Sequence, residues 1–250
     1  MPPLSPSPTV AVVIPAKDEQ DRIAATVRAV RSLPDVDLVV VVDDGSGDAT
    51  SKAARDAGAL VVAHARNRGK AAAMQTGARA VAEFEAARPR EGLRARPLLF
   101  VDADLADSAV RTWPLALPVL AGAADMTIAV LPRQSTAGGG HGFVVGLSRK
   151  GTVAAAGWSP EQPLSGMRCL TRAAFEAALP LAPGWGVETA LTIDLLRAGF
   201  RVREVPCDLH HRVTGSDWRS QLHRAAQYRD VARALGRRRL ADVLRRVTGV

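Results

Sequence analysis

Cysteine is nearly absent from this chain: Cys169 and Cys207 are the only two in 250 residues. Their number and separation exclude a disulfide-stapled scaffold and fit a reducing cytoplasm. Neither stands at metal-ligand spacing, so both read as small core residues. Aromatic residues make up only 4% of the chain, and no basic stretch is interleaved with them. That speaks against the stacking platform single-stranded nucleic acid requires, so no nucleic-acid partner is expected. No apolar run approaches the roughly 20 residues of a membrane-spanning helix. Residues 1–8, rich in proline and serine, lack the apolar centre of a signal peptide and read as a disordered lead-in. A cytoplasmic location follows as the expectation.

What is present is a full-sized apolar fraction, 47%, enough for the core of one α/β domain of this length. A single domain is expected over 9–235, with a nucleotide-binding half over about 9–107 and an acceptor half over about 108–215. Net charge is +8, a balance that attracts phosphates and anionic lipid. A basic tail is expected over 236–250. Its Arg237-Arg238-Arg239 and Arg245-Arg246 leave open a peripheral contact with an anionic membrane. A homodimer is also left open.

The first half alternates strand and helix. Val10–Ile14, Leu38–Val42, Leu60–Ala63 and Leu98–Val101 are apolar runs typical of buried parallel strands. Helices are predicted over 18–33, 48–57 and 69–87, with Pro34 and Gly58 ending the first two. This order implies a Rossmann-like, mostly parallel central sheet. The second half is less regular. Met126–Val130 and Val202–Val205 read as strands, 187–198 and 218–235 as helices, and 135–142 as a glycine-rich loop.

Ligands of parallel α/β sheets lie beyond the carboxyl ends of the strands. Pro15-Ala16-Lys17-Asp18-Glu19, Asp43-Asp44-Gly45-Ser46 and Asp102-Ala103-Asp104 all fall there. One such cluster could be helix capping; three on one edge point to a site. Asp102-x-Asp104 is a weak pattern alone, but it ends an apolar run, and its hard carboxylate oxygens suit Mg²⁺ or Mn²⁺. Asn67-Arg68-Gly69-Lys70 precedes a helix, so its amides and the Lys70 ammonium could hold phosphate, or form a solvated turn. It lacks the full P-loop spacing. Gly138-Gly139-Gly140-His141 would let backbone approach a ligand closely, or serve as a linker. Glu188 could accept bonds from sugar hydroxyls or favour a helix N-terminus. In His210-His211-Arg212, imidazole suits Mn²⁺ and the guanidinium suits phosphate.

Together, Ile14-Pro15-Ala16-Lys17-Asp18-Glu19, Val42-Asp43-Asp44-Gly45-Ser46 and Asp102-Ala103-Asp104-Leu105 resemble, in order, the nucleotide and metal motifs of GT-A glycosyltransferases of family two. The second half is similar to glucosyl-3-phosphoglycerate synthases at Gln162-Pro163-Leu164-Ser165-Gly166, at 179–188 and at His211-Arg212. The resemblance implies a GT-A fold and a UDP-sugar donor, most simply UDP-glucose. It places Pro15, Ala16, Glu19, Asp43, Asp44, Ser46, Lys70, Asp102 and Ala103 around the donor nucleotide. Asp104, His211 and Asp102 become metal ligands, and Glu188 and Asp104 the catalytic pair. Gly139, Gly140, His141, Leu164, Ser165, Gly166, Glu188 and Arg212 would face the sugar or acceptor. The synthases carry an arginine and a threonine where this chain has His141 and Phe143, so the acceptor stays open and phosphoglycerate is one alternative. The base of inverting members is not evident, which favours retention of configuration. The rival readings are a polyprenyl-phosphate glycosyltransferase, a glucosyl-3-phosphoglycerate synthase, a nucleotidyltransferase and a non-catalytic nucleotide-sugar-binding protein.

Overall fold

The structure is a computed structural model that describes residues 9–89, 94–132, 141–209 and 218–248. Its centre is a seven-stranded sheet in the order β3-β2-β1-β4-β6-β5-β7. The strands are β1 (Val10–Ala16), β2 (Val36–Asp43), β3 (Leu60–Ala63), β4 (Leu98–Phe100), β5 (Met126–Val130), β6 (Arg168–Leu170) and β7 (Val202–Pro206). β1 to β4 pair in parallel, as do β5 and β7, while β6 runs antiparallel to both its neighbours. The mostly parallel α/β sheet expected from the strand order is therefore present.

The helices are α1 (Ile23–Arg31), α2 (Thr50–Asp56), α3 (Lys70–Ala87), α4 (Ala116–Leu120), α5 (His141–Ala156), α6 (Arg172–Ala177), α7 (Val187–Arg197) and α8 (Trp218–Thr248). Strand residues alternate between the two faces of the sheet, as a period of two demands. Val12, Ile14, Val39 and Val41 face Ile23, Val27 and Val30 of α1. Val13, Val40, Val42 and Phe100 face Met74 and Val81 of α3 and Val187 and Leu191 of α7. Each fully buried Val, Leu or Ile contributes about 1.5–3 kcal/mol, so strands buried on both faces carry much of the stability. A smaller cluster of Val144, Ile193, Val231 and Leu235 ties α5, α7 and α8 together.

Three elements differ from the sequence expectation. α1 starts at Ile23 rather than near Asp18, because Asp18 adopts a positive φ of 54° and the chain turns there before the helix can begin. The expected loop over 135–142 ends sooner: α5 opens at His141. The final helix continues past Leu235 to Thr248, so most of the expected tail is helical. Leu235 packs closely on Gly151 of α5, where an added Cβ would lie 2.4 Å from Leu235 Cδ2.

Candidate active site

Parallel pairing brings the carboxyl ends of β1, β2 and β4 to one edge. Pro15 and Ala16 stand opposite Val42 and Asp43 there, and Asp102 follows shortly after β4. The β2 end is an internally bonded turn. Asp43 Oδ1 accepts from the Ser46 amide at 2.9 Å, and Oδ2 accepts from the Ser51 hydroxyl. Burial pushes this carboxyl up, but the Ser46 and Ser51 bonds prevail and hold it below its ordinary value. Ser46 Oγ in turn accepts from the Asp18 amide at 2.9 Å. Asp43 and Ser46 thus shape the turn and do not line the cleft beside it.

Asp44 does line that cleft, yet its carboxylate is engaged with protein. It accepts from the amides of Arg68 at 2.8 Å and Gly69 at 2.7 Å. It also bonds His64 Nδ1 at 2.7 Å, and His64 Nε2 bonds Thr76 Oγ1 at 2.9 Å. The amides that the sequence offered to a phosphate are thus turned onto Asp44. Only the Lys70 side chain from that motif reaches toward the carboxylates.

The cleft has a volume of about 550 Å³ and gathers residues from the ends of β1, β2 and β4, from the turn before α3 and from the start of α7. Pro15, Ala16 and Glu19 come from the β1 end, Asp102, Ala103 and Asp104 from the β4 end, and Trp185 and Glu188 from the start of α7. Lys70 Nζ lies 2.9 Å from Asp102 Oδ1 and 3.3 Å from Glu188 Oε1. Burial alone would lower the Lys70 pKa; the two carboxylates outweigh it and hold the ammonium above the ordinary lysine value. The side chain of Glu188 is only 9% exposed, so an oxygen facing the cleft is largely shielded from bulk water. Gly166 presses on the ion pair: an added Cβ would lie 2.2 Å from Lys70 Nζ and 3.0 Å from Asp102 Oδ1.

Asp104 is half-buried on the cleft wall and has no hydrogen-bond or ion-pair partner among the described residues. An unpartnered carboxylate beside a second one fits a hard divalent cation. No three His, Cys, Asp or Glu side chains gather around a metal position among the described residues. His211, expected as a further ligand, lies outside them, as do Arg212, Gly139 and Gly140. His141 opens α5. Leu164 packs against the α5–α7–α8 cluster rather than lining the cleft. Ser165 Oγ is buried and without a hydrogen-bond partner.

Sequence reasoning missed three contributors: His64, which braces Asp44; Trp185, 40% exposed at the cleft; and Arg168. The last is fully buried on β6. It donates to the carbonyls of Ser165 at 2.8 Å and Pro163 at 3.2 Å, and to Thr192 Oγ1 at 2.8 Å. Thr192 donates onward to the Glu188 carbonyl at 2.9 Å. Arg168 therefore clips the loop that carries Gly166 to the helix that carries Glu188. Burial pulls its guanidinium down to about 10, opposed by the Glu188 and Glu204 carboxylates. An arginine inside an apolar pattern was the available signal.

Residues 11–134 match the family model for glycosyl transferase family 2. Glucosyl-3-phosphoglycerate synthase of Mycolicibacterium paratuberculosis is 33% identical over 208 residues, covering 74% of this chain and 59% of that protein. Glycosyltransferase AglJ of Haloferax volcanii is 25% identical over 221 residues, covering 85% and 67% respectively. The chain thus spans about three fifths of the first relative's length. Among solved structures, glucosyl-3-phosphoglycerate synthase from Mycobacterium tuberculosis with Mg²⁺ and UDP superposes with a TM-score of 0.73 at 27% identity, covering 92% of this chain and 79% of that one. The same enzyme with Mn²⁺, UDP and phosphoglyceric acid gives 0.71 at 28%, covering 92% and 78%. The fold is that of these GT-A structures.

Proposed function

We propose that this chain, whose residues 11–134 match the glycosyl transferase family 2 model, transfers a sugar, most simply glucose, from a UDP-sugar to an acceptor hydroxyl with the aid of Mg²⁺ or Mn²⁺. The observation that carries this reading is the convergence of Lys70, Asp102, Asp104 and Glu188 on one cleft at the carboxyl edge of the sheet. The named complexes of the mycobacterial synthase with UDP, metal and UDP-glucose support the donor assignment.

A cation held by Asp104 and Asp102 would supply Lewis-acid stabilisation of the diphosphate leaving group. The chain's own residues do the rest. Lys70 stays protonated because of its carboxylate neighbours, so it brings a full positive charge to the diphosphate oxygens as they gain charge. Glu188 accepts from a sugar hydroxyl and fixes the orientation of the ring. Trp185 offers an apolar face with an indole N–H at the mouth of the cleft. Ala16 and Pro15 leave room for a base and ribose between the β1 and β2 ends. Retention of configuration is the accompanying proposal.

Calorimetry with UDP in the presence and absence of Mn²⁺ tests the donor site. The expected outcome is metal-dependent binding; UDP binding indifferent to chelation overturns it. Proton NMR of the product's anomeric signal tests retention. A membrane-borne acceptor is the second reading, favoured by Phe143, 85% exposed on α5, and exposed Leu240 on the arginine-rich α8. Flotation with anionic liposomes tests it, and a protein left at the bottom of the gradient removes it.

A further inference from the structure

Where α8 crosses the loop that opens α7, a second cavity of about 180 Å³ lies between Pro183 and Gly184 on one side and Asp230, Arg233 and Arg237 on the other. The three α8 residues recur at three- and four-residue spacing, so they share one face of the helix. Two glycines allow the helix to come this close. An added Cβ at Gly186 would lie 2.7 Å from Ala234 Cβ, and one at Gly184 would lie 2.3 Å from Asp230 Oδ2. The wall is therefore closely packed around the cavity.

The charges on that wall are unequal. Asp230 is engaged with protein: Oδ2 accepts from the Trp185 amide at 3.3 Å, and Oδ1 accepts from Arg229 Nε at 3.1 Å. Arg233 reaches the same carboxylate only at 3.9 Å, and its side chain is 67% exposed. Arg237 has no hydrogen-bond or ion-pair partner among the described residues. Its neighbour Arg238, by contrast, is paired with Asp194. Two guanidinium groups from successive turns thus frame a cavity whose one carboxylate is already shared with Arg229. Planar guanidinium forks match the oxygens of a phosphate.

Gly184 belongs to the walls of both this cavity and the main cleft. An anion held between Arg233 and Arg237 would thus sit on the other side of Gly184 from the cleft that Glu188 lines. We propose that the α8 cavity is a phosphate subsite, taking the phosphomonoester of the acceptor while the acceptor's hydroxyl enters the cleft. This rests on the sugar-transfer reading above. The same chemistry could come from a small soluble phosphate ester or from the headgroup of a lipid monophosphate.

The test is calorimetry on the full chain saturated with Mn²⁺ and UDP, titrated with glycerol 3-phosphate and, separately, with inorganic phosphate. A parallel arm measures flotation with vesicles containing a polyprenyl monophosphate. Wild type is expected to bind at least one phosphate probe. The Arg233→Ala/Arg237→Ala variant should bind it at least about tenfold more weakly, the loss expected from removing charge-assisted bonds. Its UDP affinity and melting temperature should be unchanged, since both side chains are exposed. Arg233→Lys/Arg237→Lys should recover part of the affinity. Binding confined to the vesicle arm and dependent on both arginines assigns the phosphate to a lipid. No binding in any arm, or equal binding by the double alanine variant, overturns the subsite while metal-dependent UDP binding leaves sugar transfer standing. Arginine-dependent phosphate binding without UDP binding sinks the sugar-transfer reading and, with it, the acceptor role given to this cavity.

Discussion

Lys70 is the residue on which the candidate site turns, because its single ammonium bridges two carboxylates, Asp102 and Glu188. Its position depends on a neighbour with no side chain. Gly166→Ala places a methyl group 2.2 Å from Lys70 Nζ in the unrelaxed structure, so the ammonium must move. The flexible end of a lysine can shift without unfolding the domain, so the melting temperature should hold within a few degrees. Turnover of a UDP-sugar should fall by about 10–100-fold, as expected for displaced electrostatic stabilisation. Unchanged turnover in a steady-state assay of UDP release would remove Gly166 from the site. Asp104→Asn provides the complementary case: the unpartnered carboxylate loses its charge while its shape is kept. Metal-dependent UDP binding should be lost by calorimetry with no loss of stability. Arg168 differs from both, because its role is structural first. Arg168→Met leaves the Pro163 and Ser165 carbonyls without their donor in a buried setting. Each unsatisfied group costs about 1–3 kcal/mol, so urea denaturation should register a loss of about 3 kcal/mol.

Among the elements, α3 shows how tightly the nucleotide-binding half is built. Gly77 sits where α3 crosses β1, and an added Cβ would lie 2.3 Å from Val13 Cγ1. Strand β1 is buried at every residue but Pro15, and Val13 pairs with strands on both sides, so it cannot retreat. Gly77→Ala should therefore cost about 1–3 kcal/mol through overpacking, although alanine is the better helix former. A midpoint in urea equal to wild type would show that α3 tilts freely on the sheet. At the far end of the same helix, Arg96 joins Glu85 of α3 to Asp37 of β2, and Glu85 also meets Arg172 of α6. The paired strands and α3 were legible in the sequence because apolar runs broken by stops such as Pro34 and Gly58 repeat there at short range. The second half was less so. β6 is three residues long and lies between β4 and β5, which precede it in the chain; no local period announces such an insertion. α5 follows a glycine-rich stretch that masks its start. At the site, Asp102, Asp104, Lys70 and Glu188 were readable from their place at strand and helix ends. The engagement of Asp43 with Ser51, and of Asp44 with His64 and the 68–69 amides, was not, because those partners are chosen by the fold. Arg168 stayed hidden for the same reason.

For the whole molecule, the ionisable groups set a stability plateau bounded by two different parts of the structure. On the acid side stand Asp43, held below its ordinary value of 3.8 by the Ser46 and Ser51 bonds, and Asp125, held low by Arg201. A carboxyl whose folded pKa is depressed contributes its full stabilisation above the unfolded value and loses it as pH falls through the folded one. The β2 turn and the β5–β7 edge should therefore weaken together below about pH 4. Lys70 behaves oppositely. Its folded pKa lies above the ordinary 10.5, so its contribution is complete below that value and is lost as pH rises through the folded one. The two limbs are separable by mutation. Asp43→Asn should flatten the acid limb of a plot of melting temperature against pH and leave the alkaline limb as it was. Lys70→Met should flatten the alkaline limb alone, and with Asp102 and Glu188 left facing each other it should also lower the plateau between. An alkaline limb as steep in Lys70→Met as in wild type would mean that the Lys70 ion pairs contribute nothing to folding, and that Lys70 is held in the cleft by packing rather than charge.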